Sequence, residues 1–337
     1  MKSSFFSVPA LLCCLPFVGC STNSGSGVTA PSIYVTGSES NGTISVAKDW
    51  KNGTAVALTD GKKNASPSAL AISGNDVYAA GYESNGAFMQ AKYWKNGTAV
   101  AVTDGTQNAN ALGIAVSGSD VYVAGYEYSS GHSVAKYWKN GVATILTNVL
   151  YDGSANAILV SGTDVYVAGY ESNGTHLVAK YWKNGSAVVL TDGLNDAIAN
   201  AILVSGTDIY VAGSESNGKH PVAEYWKNGF PFYLTDGTKD AQLNSICLSK
   251  SSVLAAGYES NNTHTVAKYW KDGGAVELSN GTEPAKAYGI TVSNDDIYVA
   301  GFESNGTRVV AKYWKNGSGI DLTDGTQDAR TFSIVVQ

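Results

Sequence analysis

The chain has 337 residues, a formal charge of -6 and only 15% charged residues, together with 38 glycines and 20 tyrosines. This composition suits short strands joined by tight turns. It shows no basic patch of the kind that binds nucleic acid, so nucleic acid is excluded as a partner. Three of the four cysteines lie within the first 20 residues, so disulfide bonds are not expected to hold the fold together.

Residues 1–20 predict an export signal. The apolar stretch from Phe5 to Val18 is too short to span a bilayer. The following motif Leu-Pro-Phe-Val-Gly-Cys resembles the lipobox of bacterial lipoproteins, in which the peptide is cut before a cysteine that receives diacylglycerol. The resemblance implies that Cys20 is a lipid anchor and, with Ser21 after it, that the destination is the outer membrane. The alternative is a secreted protein without a lipid.

Residues 21–31 are rich in serine, glycine and threonine, which is typical of a flexible tether. Such a tether would hold a folded domain away from a membrane surface. The expected localisation is therefore export to the bacterial cell envelope, with the membrane contacted only through the lipid.

Residues 32–337 contain a repeat that is marked by seven tryptophans, each 44 residues from the next. They are Trp50, Trp94, Trp138, Trp182, Trp226, Trp270 and Trp314. Each unit reads as four short strands separated by turn signals. A period of this length predicts a single all-β domain, a seven-bladed β-propeller of four-stranded antiparallel blades. We expect the tryptophans to fill the space between blades.

The position of the longest connection predicts the strand order within a blade. In the fourth unit this connection follows Gly193, so the small-residue strand at 157–160 is expected to be innermost. The chain starts with three outer strands and ends with an inner-type strand at 329–336. Pairing of the two ends would close the ring and leave no exposed edge. A glycine shared by all units, such as Gly169, is expected to make room for a neighbouring aromatic ring.

The candidate binding surface is a set of carboxylates on one face of the ring. Seven glutamates each end a second strand: Glu39, Glu83, Glu127, Glu171, Glu215, Glu259 and Glu303. Five aspartates lie on the crossings between blades: Asp60, Asp104, Asp192, Asp236 and Asp324. Carboxylate and amide oxygens can hydrogen-bond sugar hydroxyls or coordinate a cation. The simpler interpretation is a set of ion pairs, for example Lys136 or Lys139 beside Glu127.

The fifth unit departs from this pattern, because Glu224 replaces the lysine of the other units and is expected near Glu215. Two neighbouring acids need a proton, a separate lysine or a metal ion. Calcium is the candidate ion, and otherwise no cofactor is expected. The four histidines, His132, His176, His220 and His264, occupy one equivalent loop position. They are expected to lie too far apart to share a zinc ion.

The motifs Tyr-Val-Ala-Gly-Tyr-Glu and Lys-Tyr-Trp-Lys-Asn-Gly at 166–171 and 180–185 resemble repeats of uncharacterised bacterial β-propeller lipoproteins. Propellers host many activities, so the resemblance implies a fold and no catalytic residues. No unique catalytic constellation is visible, and an enzyme is not predicted.

The favoured hypothesis is a monomeric, envelope-anchored, lectin-like binding module that recognises a glycan or a protein through the acidic loop face. One alternative is a polysaccharide lyase or hydrolase with its site at the central mouth. A second alternative is a structural scaffold that docks a protein through Phe230–Tyr233.

Overall fold

The computed structural model describes residues 30–337, which form 28 β-strands. The strands make seven sheets of four antiparallel strands, and the prediction of an all-β, seven-bladed β-propeller is confirmed. The predicted leader at 1–20, the lipidation site Cys20 and almost all of the tether at 21–31 lie outside the described residues. Within the described part of the chain, no helix is long and apolar enough to cross a bilayer.

Each blade has an inner strand that lines the central channel and a second strand that pairs with it. The inner strands are β28 (Ala329–Val336), β4 (Ala65–Ser73), β8 (Ala109–Ser117), β12 (Gly153–Ser161), β16 (Ala197–Ser205), β20 (Ala241–Ser249) and β24 (Ala285–Ser293). The second strands are β1 (Ile33–Ser40), β5 (Asp76–Ser84), β9 (Asp120–Ser129), β13 (Asp164–Ser172), β17 (Asp208–Ser216), β21 (Ser252–Ser260) and β25 (Asp296–Ser304).

Two further strands lie outside these. The third strands are β2 (Ser45–Lys51), β6 (Met89–Lys95), β10 (His132–Lys139), β14 (Leu177–Lys183), β18 (Pro221–Lys227), β22 (Thr265–Lys271) and β26 (Val309–Lys315). The outer strands are β3 (Thr54–Ala57), β7 (Thr98–Ala101), β11 (Val142–Ile145), β15 (Ser186–Val189), β19 (Phe230–Tyr233), β23 (Gly274–Glu277) and β27 (Ser318–Asp321). Blade 1 holds β28 and β1 to β3, and blades 2 to 7 follow in chain order.

The two ends of the described chain meet in blade 1. Strand β28 pairs antiparallel with β1, with Ile33 opposite Val336. The backbone N–H groups of Ser32 and Gln337 each donate to the other residue's carbonyl oxygen, at 2.7 and 3.0 Å. The predicted closure is confirmed, and it pairs backbone groups that would otherwise form open sheet edges.

The tryptophans fill the spaces between neighbouring blades, as predicted. All seven are at most 3% exposed. Trp182 of blade 4, for example, packs in one cluster with Tyr122 and Ala124 of blade 3. Each such ring removes roughly 150–250 Å² of surface from water, so the blade interfaces hold much of the hydrophobic core.

The repeated Asn-Gly pairs form tight hairpins between the third and outer strands. Asn184 and Gly185 have φ angles of 51° and 82°, as a two-residue turn with left-handed backbone requires. The Asn184 side chain accepts from the Val165 N–H at 2.9 Å and donates to Asp164 at 2.8 Å. The turn therefore also ties the third strand to the start of the second strand.

The glycine shared by all second strands has a different role from the one predicted. A Cβ atom on Gly169 would lie 1.9 Å from the carbonyl oxygen of Ser154. The pairing register of the inner strand shifts at this point, between Ala155 and Ala157. The prediction that a neighbouring aromatic ring fills the space was wrong, because the backbone of the bulged inner strand occupies it.

Candidate functional site

The loops between second and third strands share one face of the ring with the crossings between blades. In blade 2 the Asn85 side chain donates to the carbonyl oxygen of Gly105, in the crossing, at 2.7 Å. This contact places both segments at the same end of the blade. We call this surface the loop face, and it is the face on which the sequence placed the glutamates and aspartates.

An asparagine builds the loop in six blades. In blade 4 the Oδ1 atom of Asn173 accepts from the N–H groups of Thr175 and His176, both at 2.9 Å. Its amide group donates to Gly193 O at 3.0 Å. Equivalent loops are built by Asn41, Asn85, Asn217, Asn261 and Asn305. A side chain that satisfies three backbone groups holds the loop in one conformation.

Blade 3 has a shorter connection instead. Its second strand ends at Ser129 and its third strand begins at His132. Ser130 and Gly131 form the turn with φ angles of 53° and 91°. The loop face is therefore repeated but not uniform.

The residue that closes the loop at the start of the third strand varies around the ring. In blade order it is Ile44, Phe88, His132, His176, His220, His264 and Arg308. Three histidines each contact an aspartate of the crossing in their own blade. The distances from Nδ1 to Oδ1 are 3.6 Å for His132 and Asp152, 3.4 Å for His176 and Asp196, and 2.7 Å for His220 and Asp240. The histidines thus have separate partners.

Six of the seven predicted glutamates form ion pairs with a lysine of the third strand. The pairs are Glu39–Lys48, Glu83–Lys92, Glu127–Lys136, Glu171–Lys180, Glu259–Lys268 and Glu303–Lys312. Distances in blades 2 to 4 are 2.6 to 2.7 Å. Of the two lysines considered for Glu127, Lys136 is the partner, and Lys139 pairs with Asp120 at 2.7 Å. These glutamates are part of the framework of the blade.

The five predicted aspartates of the crossings, in contrast, are exposed. Each accepts a hydrogen bond within its own turn: Asp104 Oδ1 accepts from the N–H and hydroxyl groups of Thr106 at 2.9 and 2.8 Å. The backbone hydrogen bond from Thr106 lowers the pKa of Asp104. The pKa values of Asp60, Asp236 and Asp324 are lowered by equivalent hydrogen bonds from the residue two positions ahead. Ionised, exposed carboxylates therefore surround the loop face.

Blade 5 contains the predicted exception. Glu224 is fully buried, and neither carboxylate oxygen has a hydrogen-bond partner. Burial raises the pKa of Glu224 to about 8, and the charge of Glu215 adds to this shift. Burial and the charge of Asp192 raise the pKa of Glu215 as well. The lysine at the other end of this strand, Lys227, is paired with Asp208 at 2.8 Å, so it does not neutralise the pair.

The sequence left three ways to accommodate these two acids: a proton, a separate lysine or a metal ion. A proton on one carboxyl group requires no further residue. Across residues 30–337, no group of three His, Cys, Asp or Glu side chains is arranged to hold a metal ion. Calcium takes six to eight oxygen ligands, and the described neighbourhood supplies only the carboxylates of Glu224, Glu215 and Asp192. The geometry favours a protonated Glu224 beside Glu215.

The outer edge of blade 5 carries the apolar strand noted in the sequence. Phe230, Phe232 and Tyr233 are 72%, 44% and 63% exposed. Phe232 stacks on Tyr225 with ring centroids 5.0 Å apart. The exposure of this strand agrees with the sequence, and its use as a docking site remains a prediction.

Two basic residues at the mouth of the channel were missed by sequence reasoning. Lys286 and Arg330 are the second residues of the inner strands β24 and β28. The other five blades have uncharged residues at this position: Ser66, Asn110, Ser154, Ile198 and Gln242. Comparison of the seven units at this one position was the signal that could have identified them.

Comparisons with known proteins add the fold and no activity. No protein-family model matches the chain, and no curated protein matches it. A puromycin-hydrolysing peptidase from Mycobacterium tuberculosis is similar with a TM-score of 0.57 and 9% identity, over 82% of this chain and 49% of the peptidase. TolB from Acinetobacter baumannii is similar with a TM-score of 0.48 and 11% identity, over 74% of this chain and 64% of TolB.

The chain thus spans about half the length of the peptidase, at 49%, and less than two thirds of TolB, at 64%. At 9% identity, the likeness to the peptidase shows the fold alone, because unrelated functions share propeller folds. The chain is a seven-bladed β-propeller, and its function has to be inferred from its own residues.

Proposed function

We propose that the chain is a non-catalytic binding module, which recognises a glycan or a protein through several weak sites on the loop face. The observation that carries this proposal is a repeated loop framework with a changing residue where the loop closes. The asparagine that holds the loop is retained in six blades, whereas the closing residue is isoleucine, phenylalanine, histidine or arginine. A fixed framework with variable contact residues suits recognition better than a single chemical step.

The exposed aspartates support this proposal. Asp60, Asp104, Asp192, Asp236 and Asp324 are repeated around the loop face and are exposed to solvent. Ionised carboxylates accept hydrogen bonds from sugar hydroxyls or from basic side chains. Equivalent sites on one rigid ring raise the effective concentration of a repeating ligand, so that avidity can exceed single-site affinity by roughly 10²–10⁴.

The test is binding of the purified full-length chain to a glycan array and to captured envelope proteins. Variants combine Asp104→Asn, Asp192→Asn, Asp236→Asn and Asp324→Asn in steps. We expect avidity to fall with each added substitution. Asp295→Asn is the matched control, because Asp295 is exposed, bound to Lys250 and located in a turn between inner and second strands at the opposite face.

Unchanged binding in the fourfold variant would contradict recognition by the loop face. Release of reducing ends or unsaturated sugars from a polysaccharide would instead favour the lyase or hydrolase alternative. Protein capture that is lost in Phe230→Ser and Phe232→Ser, but retained in the aspartate variants, would favour the docking scaffold.

We also propose that the chain is exported and anchored by a lipid on Cys20. The support is the sequence Leu-Pro-Phe-Val-Gly-Cys at 15–20 and the tether after it. Expression in a bacterial host with labelled fatty acid should label the wild-type chain but not Cys20→Ser. Equal labelling of both, or of neither, would remove the anchor from the account.

A further inference from the structure

The mouth of the central channel has a concentrated positive charge on two neighbouring blades. Lys286 and Arg330 begin the adjacent inner strands of blades 7 and 1. The crossings enter the inner strands at the loop face, so both residues lie at that end of the channel. Arg330 also borders the loop of blade 1, because it lines a cleft together with Thr43 and Ile44.

Neither cation forms an ion pair with any carboxylate of residues 30–337. Burial, followed by the charge of Arg330, lowers the pKa of Lys286. The backbone hydrogen bond from Val309 lowers the pKa of Asp328, and the charge of Arg330 contributes to this shift. That carboxylate already binds the Arg308 guanidinium at 3.2 Å and the Val309 N–H at 2.9 Å. Two like charges therefore face each other without a dedicated counter-ion, which is a favourable environment for an anion.

Aromatic rings form a surface beneath these cations. The Lys286 ammonium lies 4.0 Å from the centroid of the Tyr258 ring, and the Arg330 guanidinium lies 5.3 Å from that of Phe302. Each cation thus crosses to a ring of the preceding blade. Tyr288 lies between them, with its centroid 6.1 Å from Phe302 and 5.4 Å from Phe332. Cation–π contacts hold the basic groups in place while their charge remains uncompensated.

Polar groups border the same surface. The Tyr258 hydroxyl donates to Gln242 at 3.0 Å. Arg330 also lines an open cleft of about 220 Å³ with Ser40, Ile44, Asn64 and Asp328, and this lining does not include the aromatic rings. Hydroxyl and amide groups beside an aromatic surface are the partners that sugar rings use, since one face of a sugar is apolar and its edge is polar.

We propose that the channel mouth at blades 6, 7 and 1 binds an acidic saccharide, with its carboxylate or sulfate group held by Lys286 and Arg330 and its ring against Tyr258 and Tyr288. A bare inorganic anion would use the cations but not the aromatic surface. A neutral sugar would use the surface but leave the cations without a counter-ion. The site lies at the inner end of the loop face, next to the loop of blade 1 that contains Thr43 and Ile44.

The probes are a tetra-galacturonate, a sulfated tetrasaccharide, a neutral galactotetraose and inorganic sulfate, each titrated by calorimetry into the full-length chain. We expect one of the acidic saccharides to bind to one site per ring, at least tenfold more tightly than the neutral sugar or sulfate alone. The affinity should fall as sodium chloride rises, because charge contributes to it. Saccharide affinity should fall at least tenfold in Lys286→Gln/Arg330→Gln.

Lys183→Gln/Lys227→Gln is the charge-matched control, because these lysines pair with Asp164 at 2.7 Å and Asp208 at 2.8 Å near the opposite face. It should bind as the wild type does, and Lys286→Arg should retain binding. Thermal unfolding of every variant separates lost binding from lost folding. Sulfate binding as tightly as the saccharide, no acidic saccharide binding, or equal binding by the double variant would overturn the proposal. Weaker binding only in the aspartate variants of the loop face would contradict this site and leave the proposed function intact.

Discussion

Glu224 lies beside Glu215 in blade 5, at the position where Lys180 of blade 4 contacts Glu171 at 2.6 Å. One substitution in a repeated unit thus converts an ion pair into a pair of acids. Glu224 is 0% exposed, so this conversion takes place inside the protein. Burial of a carboxyl group without a hydrogen-bond partner is costly in its ionised form.

Restoring the lysine should stabilise blade 5. In Glu224→Lys the new ammonium group can reach Glu215, as in the other blades, and we expect the free energy of unfolding at pH 8 to rise by roughly 1–3 kcal/mol. The converse substitution, Lys180→Glu in blade 4, should destabilise by a similar amount. Urea denaturation of both variants measures this. Destabilisation by Glu224→Lys would show that the fifth blade has adapted its packing to the acid.

The pair of acids should also make stability depend on pH. The pKa of Glu224 is raised in the folded protein, from 4.5 to about 8. Between these two pH values the folded state therefore binds more protons than the unfolded state. Stability is therefore present at low pH and is lost as the pH rises from about 4.5 to about 8. The shift from 4.5 to about 8 corresponds to on the order of 5 kcal/mol.

Glu224→Gln should remove this pH dependence, because the amide stays neutral at every pH. Melting temperatures measured from pH 5 to 9 test the difference between the two proteins. Calcium at millimolar concentration should leave the wild-type melting temperature unchanged if a proton occupies the pair. A clear rise with calcium at pH 8 would establish metal binding instead.

Blade 1 contains a second exception, which has a built-in partner. Thr36 and Asp49 replace the alanine and tyrosine of the other six blades, and the Thr36 hydroxyl donates to Asp49 at 2.5 Å. Burial raises the pKa of Asp49 to about 6 despite this hydrogen bond. Thr36→Ala should destabilise by roughly 1–2 kcal/mol. Thr36→Ala/Asp49→Tyr should recover stability, and additive losses in the double variant would contradict the coupling.

The glycine of the second strand should tolerate no side chain. In Gly169→Ala the new methyl group would lie 1.9 Å from Ser154 O, so the bulge must move, and we expect a loss of about 3 kcal/mol or more. Gly162→Ala is the control, since Gly162 has a φ of 60° but open space around it. Its loss should be near 1 kcal/mol. Equal losses would mean that the backbone around Ser154 moves aside at little cost.

Removal of the strand that closes the ring should destroy cooperative folding. Deletion of residues 329–337 exposes the edge of β1 along its pairing with β28. Open edges favour association between chains, so we expect a broader thermal transition and oligomers in light scattering. A deletion variant that stays monomeric and unfolds as sharply as the wild type would refute the role of closure.

The repeat made most of the fold predictable from the sequence. The tryptophan recurs in all seven units and the Asn-Gly turn in six. Each recurrence supports the same predicted strand order. The bulge beside Gly169 was missed, because an inserted residue in an inner strand has no marker of its own in the sequence.

The candidate sites were predictable only where units differ in charge. Glu224 stood out because a lysine occupies that position elsewhere. Lys286 lies over Tyr258 of another blade, and contacts between blades depend on the curvature of the ring, which the repeat does not reveal. The exposure of the crossing aspartates and the ion pairing of the glutamates likewise became distinguishable only from side-chain positions.

The central claim is that the loop face is the surface that binds. The most direct measurement is a crystal structure of the full-length chain soaked with a mixture of acidic and neutral oligosaccharides. The account predicts saccharide density on the loop face, at the tips of several loops and beside Lys286 and Arg330. Density confined to the opposite face or to the outer edge of the blades would contradict it.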